Sequence, residues 1–370
     1  MTKTIEGMRV GLLTIHDTCN YGSLLQTISL YRALRKLDLN VKVIDYKNKA
    51  ISKREAPKPL SQAKTFKEII QSLLWHKKLQ RRYDKFKQQL HDSLALSQEY
   101  TLATIAQAND EFDVFIVGSD IVWGSEITGR DKTYFLDFAE DKKIKFAFSS
   151  SVGTKWAQTE EREVAALLKR FDKISVREEL AAGWIKDLIG ESVDVTCDPT
   201  MLWTSEAWKS DLNHSIVPKK DYVLIYMTTK DRRTISDAIA YAKKNNLEIY
   251  YINYYSKIKG TKSIRPDTVE EWLALIFSAK AVFTASYHGL LFSLYFRKNV
   301  FYYNRGNTSR MISLAKELNI ESREGTAENI QNDIKINYDM VDDLIEKKRE
   351  YSWSVLENYF SGNLSDEKRL

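Results

Sequence analysis

Strand-like and helix-like segments alternate along most of the chain, and this alternation restricts the fold more than any other feature of the sequence. An apolar run at 9–15 precedes apolar residues at helical spacing between Leu24 and Leu34, and a second strand-like run follows at 41–46. This order is typical of parallel sheets whose faces are covered by helices. The sequence therefore predicts an α/β fold.

Two such series follow each other, separated by a change in composition between 208 and 221. The later predicted strands are 113–117, 144–148, 174–176 and 193–196 in the first series, and 222–227, 248–253, 281–284 and 300–303 in the second. A chain of 370 residues is also large for a single core. We therefore expect two doubly wound Rossmann-like domains, 1–210 and 211–337, with a terminal helix in 338–370 that packs back on the first. Two such domains facing a central cleft form the GT-B architecture.

Composition excludes several functional classes. Apolar residues make up 43% of the chain and charged residues 29%, which is ordinary for a globular protein. The net charge of +6 is modest, and the nearest candidate for a concentrated basic stripe, 64–87, is better explained as a solvated helix face, so no nucleic-acid partner is expected. Two cysteines give no disulfide framework, and residues 1–8 contain no apolar signal core. No run of eighteen apolar residues occurs, and we expect a cytoplasmic protein.

A basic stretch at 64–87 allows two interpretations. Its cations interleave with apolar residues between Phe66 and Leu74. The favoured interpretation is a helix with a solvated basic face. The alternative is a surface that lies near anionic lipid or a lipid-linked substrate, as a peripheral protein at the inner face of a membrane would need.

One histidine stands at a position suited to chemistry. His288 lies in Ser286-Tyr287-His288-Gly289, between the strand-like run 281–284 and the apolar, helix-like run 290–296. Ligands of open α/β sheets bind at the carboxyl ends of strands. Helix N-termini favour anions there. The sequence therefore predicts an anion-binding turn that contains an imidazole.

Other predicted strands also end in small and polar residues. These sequences are Asn20-Tyr21-Gly22, Gly118-Ser119-Asp120 followed by Trp123, Ser149-Ser150-Ser151-Val152-Gly153, Ser175-Val176-Arg177-Glu178 and Asp198-Pro199-Thr200. Asp120 could act as a general base or cap the next turn. Trp123 could stack on a sugar ring or belong to the core, and Arg177 could bind an anion or pair with a neighbouring acid. Asp198 is interpreted as a structural helix cap before Pro199.

Metal and dinucleotide sites are not indicated. No two histidines have the spacing of a metal pair, and no Asp-x-Asp stands near a strand end. Gly22 is a single glycine, far weaker than the Gly-x-Gly-x-x-Gly fingerprint of dinucleotide sites. We expect neither a metal nor a cofactor.

The ordered set of strand-end motifs resembles the polysaccharide pyruvyl transferase family, over about 11–318. The resemblance implies a GT-B-like fold and phosphoenolpyruvate as co-substrate. Members attach pyruvate as a ketal to a sugar of a bacterial surface polysaccharide, such as a capsule or exopolysaccharide, or to its lipid-linked precursor. By position, His288 matches an acid or donor-binding histidine, and Arg177 matches an arginine that holds the donor's anionic groups.

The resemblance also distributes the remaining residues between a donor and an acceptor. The N-terminal domain is the expected acceptor side and the C-terminal domain the donor side. Expected donor contacts are Arg177, Ser286, His288, Gly289, Arg305 and Arg310; expected acceptor contacts are Asn20, Tyr21, Gly22, Ser119, Trp123 and Ser150. Many members have Arg-Leu-His-Gly where this chain has Ser286-Tyr287-His288-Gly289. Arg297, Arg305 or Arg310 could supply the cation that is missing at position 286.

Two other functions remain compatible with these residues. A GT-B glycosyltransferase would bind a nucleotide sugar in the C-terminal domain. A non-catalytic carbohydrate- or anion-binding protein would bind the donor without releasing phosphate.

Overall fold

The computed structural model contains two parallel β-sheets and describes residues 7–55, 65–228, 230–254, 258–304 and 309–361. The first sheet has the order β3-β2-β1-β4-β5-β6-β7 and the second the order β10-β9-β8-β11-β12. All strand pairs within both sheets are parallel. The expectation of an α/β fold with parallel sheets is confirmed.

The strands are short, as is common for sheets buried on both faces. Their bounds are β1 Arg9–Leu13, β2 Asn40–Tyr46, β3 Leu96–Tyr100, β4 Val114–Val117, β5 Ile144–Ser150, β6 Lys173–Val176, β7 Asp194–Val195, β8 Tyr222–Tyr226, β9 Glu248–Ile252, β10 Lys262–Ile264, β11 Ala281–Thr284 and β12 Asn299–Tyr302. Two strands, β3 and β10, were not predicted. Both are edge strands with polar sequences and little burial, so they lack the apolar signal.

Helices connect the strands and join the two sheets. Their bounds are α1 Tyr21–Lys36, α2 Lys49–Glu55, α3 Phe66–Ser93, α4 Ala108–Glu111, α5 Ser125–Thr128, α6 Gln158–Leu168, α7 Glu179–Ile189, α8 Ser205–Ser210, α9 Arg232–Lys244, α10 Val269–Ser278, α11 Tyr287–Tyr295, α12 Ser309–Glu317, α13 Ala327–Asn332 and α14 Tyr338–Ser361. The predicted basic segment forms α3. None of the helices in the described part of the chain is long and apolar enough to cross a membrane.

Alternate residues of the central strands pack into different hydrophobic clusters. In β4, Val114 and Ile116 join the largest cluster, whereas Phe115 and Val117 join a second one on the other face. This alternation follows from the two-residue repeat of a strand. The largest cluster also contains residues of the second sheet, such as Leu224 of β8, so one continuous core connects the two sheets.

The terminal helix α14 packs against the first sheet. The buried ring of Tyr359 lies 5.0 Å from the ring of Phe146 in β5, and its hydroxyl group donates to the Ala147 carbonyl oxygen at 3.0 Å. The Ser352 hydroxyl oxygen accepts from the Cys197 N–H at 2.8 Å. These contacts fix the segment around 197, which contributes to the site described below.

We expect Tyr359→Ala to destabilise the protein by about 3–5 kcal/mol, because a buried aromatic ring is removed from the core. Tyr351→Ala on the same helix is the matched control, since Tyr351 is 46% exposed. We expect the control to change stability by less than about 1 kcal/mol. Urea unfolding followed by circular dichroism measures both variants. Equal losses in the two variants would show that α14 is not anchored through Tyr359.

Candidate active site

A cleft of about 740 Å³ opens where loops from both sheets meet. Its N-terminal wall is formed by residues 18–21 after β1, together with Arg82 and Asp120. The opposite wall is formed by residues at the ends of β8 and β9 and by 285–288 after β11. The cleft therefore lies at the carboxyl ends of parallel strands, where α/β proteins bind their ligands.

The described lining of the cleft is strongly positive. It contains the side chains of Arg54, Arg82, Lys230 and Arg310 but a single carboxylate, that of Asp120. A concave surface with one predominant sign of charge concentrates ligands of the opposite sign. The cleft is thus suited to anionic ligands.

His288 lies in the first turn of α11, at the floor of the cleft. Ser286 is the N-cap of this helix, and its hydroxyl oxygen accepts from the Gly289 N–H at 3.4 Å. The helix start leaves the N–H groups of Tyr287 and His288 without intrahelical partners. The predicted strand-to-helix turn is therefore present, with its anion-favouring helix terminus.

A buried chain of charged groups holds the histidine ring. Nε2 of His288 lies 3.2 Å from Oδ2 of Asp198, and Nη1 of Arg177 donates to the same oxygen at 2.6 Å. Arg177 also donates from Nε to Oε1 of Glu178 at 3.3 Å. Asp198 thus connects the N-terminal sheet to the first turn of α11 in the other domain.

The ionisation of Asp198 determines which nitrogen of the ring carries a proton. Burial alone would raise the pKa of the Asp198 carboxyl group, but His288, Arg177 and the Thr200 hydroxyl outweigh burial and lower it below its usual range. An ionised carboxylate only accepts hydrogen bonds. Nε2 of His288 therefore carries a proton and donates it to Asp198, and Nδ1 is the nitrogen that takes no part in this contact.

Gly22 leaves the space that this ring occupies. A Cβ atom at position 22 would lie 2.0 Å from Nδ1 of His288. No side chain other than hydrogen fits at that distance. Gly22 therefore brings the start of α1 against the imidazole, so the motif after β1 and the motif after β11 meet.

Asp120 lies in the same group of charges. Its Oδ2 accepts from the Ser23 hydroxyl at 2.5 Å. Burial alone would raise the pKa of Asp120, but Arg177, Arg310, the Ser23 hydrogen bond and His288 lower it. A carboxylate with a lowered pKa is a weak general base. The surroundings of Asp120 therefore favour a fixed negative charge and a hydrogen-bond acceptor over proton abstraction.

Arg177 and Arg310 lie on either side of Tyr287. The guanidinium carbon of Arg177 is 5.0 Å from the Tyr287 ring centroid, and that of Arg310 is 6.0 Å from it. Burial and the neighbouring Arg177 lower the pKa of Arg310. Arg310 and Tyr287 line both the cleft and a small cavity next to it, whereas Arg177 lines the small cavity and not the cleft. The expectation that Arg177 contacts the donor is therefore wrong, because Arg177 is not among the described residues that line the cleft.

The expected acceptor residues separate into two groups. Asn20 and Tyr21 line the cleft, although Asn20 also caps α1 and Tyr21 is almost fully buried. Trp123 is in the core, stacked on Phe135 at 5.5 Å, and its ring nitrogen donates to the Tyr134 carbonyl oxygen. The expectation that Trp123 contacts a sugar is therefore wrong.

The expected contacts of Ser119 and Ser150 with an acceptor are also wrong, because both side chains are completely buried at the edge of the first sheet. The Ser150 hydroxyl donates to the Val117 carbonyl oxygen at 3.2 Å. Ser150 therefore supports the end of β4, directly before the loop that carries Asp120.

Gly289 packs against the second sheet and does not line the cleft as a donor contact. A Cβ at this position would lie 2.3 Å from Oγ1 of Thr284, and the Gly289 N–H is used by the Ser286 cap. Its expected donor contact is therefore corrected to a packing role. Arg305, the other expected donor residue of this region, lies outside the described residues.

Two important side chains were missed by the sequence interpretation. Asp198 was interpreted as a cap, and it does accept from the Thr200 N–H at 3.0 Å, but it also holds His288 and Arg177. Its place after β7, at the same sheet edge as the other motifs, was a usable signal. No local sequence signal marked Arg82, because its place in the cleft depends on how α3 packs in the tertiary structure.

Comparison with known proteins defines the family. The sequence model described as polysaccharide pyruvyl transferase matches residues 20–307, well over half of the chain. The chain belongs to the polysaccharide pyruvyl transferase family. No curated protein matches the sequence significantly.

Solved structures with the same fold include UDP-GlcNAc 2-epimerases. The enzyme from Neisseria meningitidis bound to UDP-GlcNAc is 9% identical, with a TM-score of 0.53 and coverage of 95% of this chain and 98% of that chain. The enzyme from Methanocaldococcus jannaschii in complex with UDP-GlcNAc and UDP is 13% identical, with a TM-score of 0.53 and coverage of 96% and 100%. At this identity the likeness shows the fold alone, and the fold of this family member is GT-B-like, as expected.

We expect Gly22→Ala to displace the His288 ring, because the added Cβ would lie 2.0 Å from Nδ1, far inside van der Waals contact. Gly183→Ala is the matched control: Gly183 lies inside α7 with nothing within 4 Å of an added Cβ. The control should be neutral or more stable by about 1 kcal/mol, since alanine favours helices. The ring resonances of His288 in two-dimensional ¹H–¹⁵N NMR report the displacement. Unchanged His288 resonances in Gly22→Ala would contradict this geometry.

Proposed function

We propose that the protein transfers a pyruvyl group from phosphoenolpyruvate to a sugar of a bacterial surface polysaccharide or of its lipid-linked precursor, forming a ketal. Family membership supports pyruvyl transfer as the reaction type. The single observation that carries the proposal is the chain from Arg177 through Asp198 to His288, which fixes an imidazole at an anion-favouring helix start in a positive cleft.

The donor needs both charge compensation and a proton. Phosphoenolpyruvate carries a phosphate and a carboxylate, and its methylene carbon must be protonated before its second carbon reacts. One sugar hydroxyl adds to that second carbon and loses its proton. A second hydroxyl of the same sugar then displaces phosphate and also loses a proton. Of the two released protons, one replaces the proton given to the methyl group and the other leaves with phosphate.

His288 is the proposed proton carrier. Asp198 holds the proton on Nε2, so Nδ1 gives a proton to the methylene carbon and is restored by a proton from a sugar hydroxyl. The ring also brings positive charge towards the donor while it is doubly protonated. Asp198 acts as a positioning residue, because it orients the ring without contacting the donor.

Arg310 is the proposed cation for the donor's anionic groups. It is the arginine that lines the cleft beside Tyr287 and His288, and no ion pair joins it to a carboxylate in the described part of the chain. A guanidinium group binds phosphate or carboxylate through two parallel hydrogen bonds. Arg310 therefore compensates for the arginine that many relatives carry at the position of Ser286. Arg177 does not contact the donor in this proposal, and it influences His288 through Asp198.

The acceptor would enter along the N-terminal wall, beside Asn20 and Tyr21. We propose that it is lipid-linked or polymeric and that the protein meets it in the cytoplasm, at the inner face of the membrane. Two cations of α3, Lys77 and Lys85, are exposed to solvent and suited to a contact with anionic lipid. The reaction as written needs neither a metal nor a cofactor.

We expect phosphoenolpyruvate to raise the thermal midpoint of the wild-type protein, by stabilisation of roughly 2.7 kcal/mol at one hundred times the dissociation constant. His288→Ala should lose most of this shift, because it removes a donor contact. The exposed His214 provides the matched control His214→Ala, which should keep the full shift. UDP-GlcNAc should give a smaller shift than phosphoenolpyruvate.

A shift with UDP-GlcNAc and none with phosphoenolpyruvate would favour a glycosyltransferase and reject the proposal. Phosphate release with a panel of lipid-linked glycans then tests catalysis. We expect His288→Ala to lower the rate by about 10²–10⁴-fold, the usual effect of removing a general acid–base group. Near-normal turnover of His288→Ala would exclude the proposed role of the histidine. Donor binding without phosphate release from any glycan would favour a binding protein.

A further inference from the structure

A guanidinium group without a carboxylate partner lies on the N-terminal wall of the cleft, on a different element from His288. Arg82 of α3 donates from Nη2 to the Cys19 carbonyl oxygen. Within the described ranges, no carboxylate forms an ion pair with it, and its buried Nε has no hydrogen-bond partner. A buried charge that is incompletely paired is costly to the folded state. Such a group indicates a missing anionic partner.

Aromatic rings surround this cation. Its guanidinium carbon lies 4.2 Å from the ring centroid of Tyr254, 5.1 Å from that of Phe86 and 5.2 Å from that of Tyr21. Burial raises the pKa of the Tyr254 hydroxyl to about 12 and that of Tyr21 well above its usual value. Both tyrosines are therefore neutral at pH 7, and they supply ring faces but no negative charge.

Arg82 lies close to His288, because two consecutive residues of α1 contact the two side chains. The Tyr21 ring contacts Arg82, and the next residue, Gly22, contacts the His288 ring. Arg82 and His288 are therefore separated by two consecutive residues in the first turn of α1. A cleft of about 740 Å³ is large enough for a drug-sized ligand, so it has room for more than a small donor.

We propose that Arg82 binds an anionic group of the acceptor, a phosphate or a carboxylate carried by the sugar. The inference rests on the proposed function, because it assigns the second substrate of the same cleft. Arg310 and His288 hold the donor, and Arg82 holds the acceptor's negative group on the facing wall. The planar guanidinium fork fits both phosphate and carboxylate oxygens.

A purely structural role for Arg82 gives a different expectation. Tyr254 belongs to the second domain, and its hydroxyl meets that of Tyr21 and the Pro266 carbonyl oxygen. If Arg82 only held these rings together, its loss would lower stability and affect neutral and anionic sugars equally. A difference in affinity between neutral and anionic sugars therefore distinguishes a binding role of Arg82 from a purely structural one.

The test measures sugar binding by titration calorimetry with phosphoenolpyruvate at saturation, so that the donor site is filled. The probes are glucose 1-phosphate, glucuronic acid and the neutral methyl glucoside. We expect the wild-type protein to bind at least one anionic probe about 10- to 100-fold more tightly than methyl glucoside, the usual strength of a charged hydrogen bond. The probe that is preferred distinguishes phosphate from carboxylate.

Arg82→Gln should abolish this preference. Arg81→Gln is the matched control, because Arg81 directly precedes Arg82 in α3, is 70% exposed at its side chain and pairs with Asp267 outside the cleft lining. The control should keep the preference. Thermal midpoints of both variants confirm that they fold, and Arg82→Lys, which keeps the charge but loses the fork, should show an intermediate preference.

Equal affinity of the wild-type protein for neutral and anionic sugars would overturn the inference, whether or not the variants fold. Persistence of the preference in Arg82→Gln would also overturn it. Phosphoenolpyruvate binding is titrated separately and should be unchanged in Arg82→Gln. Absence of that binding in the wild-type protein would reject the proposed function, and the sugar titrations, repeated without donor, would still decide on Arg82.

Discussion

The carboxylate of Asp198 is the group on which the rest of the site depends. It is completely buried, and it accepts from Arg177 of its own domain while holding His288 of the other. Removing one partner of a buried ion pair leaves an uncompensated charge, so the three groups must remain together. The orientation of the histidine ring towards the first sheet therefore depends on Oδ2 of Asp198.

The surrounding fold is arranged so that this contact can form. Ser352 of α14 accepts from the Cys197 N–H, directly before Asp198, and Tyr359 anchors the same helix to the first sheet. Gly22 allows α1 to approach the imidazole beside Nδ1. The N-terminal domain consequently contacts the histidine ring at Nε2 and beside Nδ1, although His288 belongs to α11 of the C-terminal domain.

Much of this arrangement could be predicted because apolar periodicity and strand-end motifs are local signals. The alternating pattern predicted both parallel sheets, and the motifs predicted that His288 stands at a helix start. The burial and direction of a side chain depend on the tertiary structure. The sequence therefore did not distinguish Trp123, which lies in the core, from Tyr21, which lines the cleft. For the same reason Arg82 was interpreted as part of a solvated basic face. The edge strands β3 and β10 were missed because their sequences are polar. They are recognised as strands by their backbone pairing with neighbouring strands and not by an apolar pattern.

The departure from the usual Arg-Leu-His-Gly motif is accommodated by the residues around it. Ser286 caps α11, and the ring of Tyr287 lies between two guanidinium groups, with Arg310 on the cleft side and Arg177 behind. In the proposed function, Arg310 of α12 supplies the cation that would stand at position 286. Arg177, which was expected to touch the donor, instead supports the histidine through Asp198.

A double-mutant cycle on phosphoenolpyruvate affinity tests most directly whether Asp198 acts through His288. Affinity is measured by calorimetry for the wild-type protein, Asp198→Asn, His288→Gln and the double variant. We predict that the two losses are not additive and that the interaction energy lies between about 0.5 and 3 kcal/mol, as for residues in direct contact. Losses that add within about 0.5 kcal/mol would show that Asp198 and His288 act independently and would contradict this account.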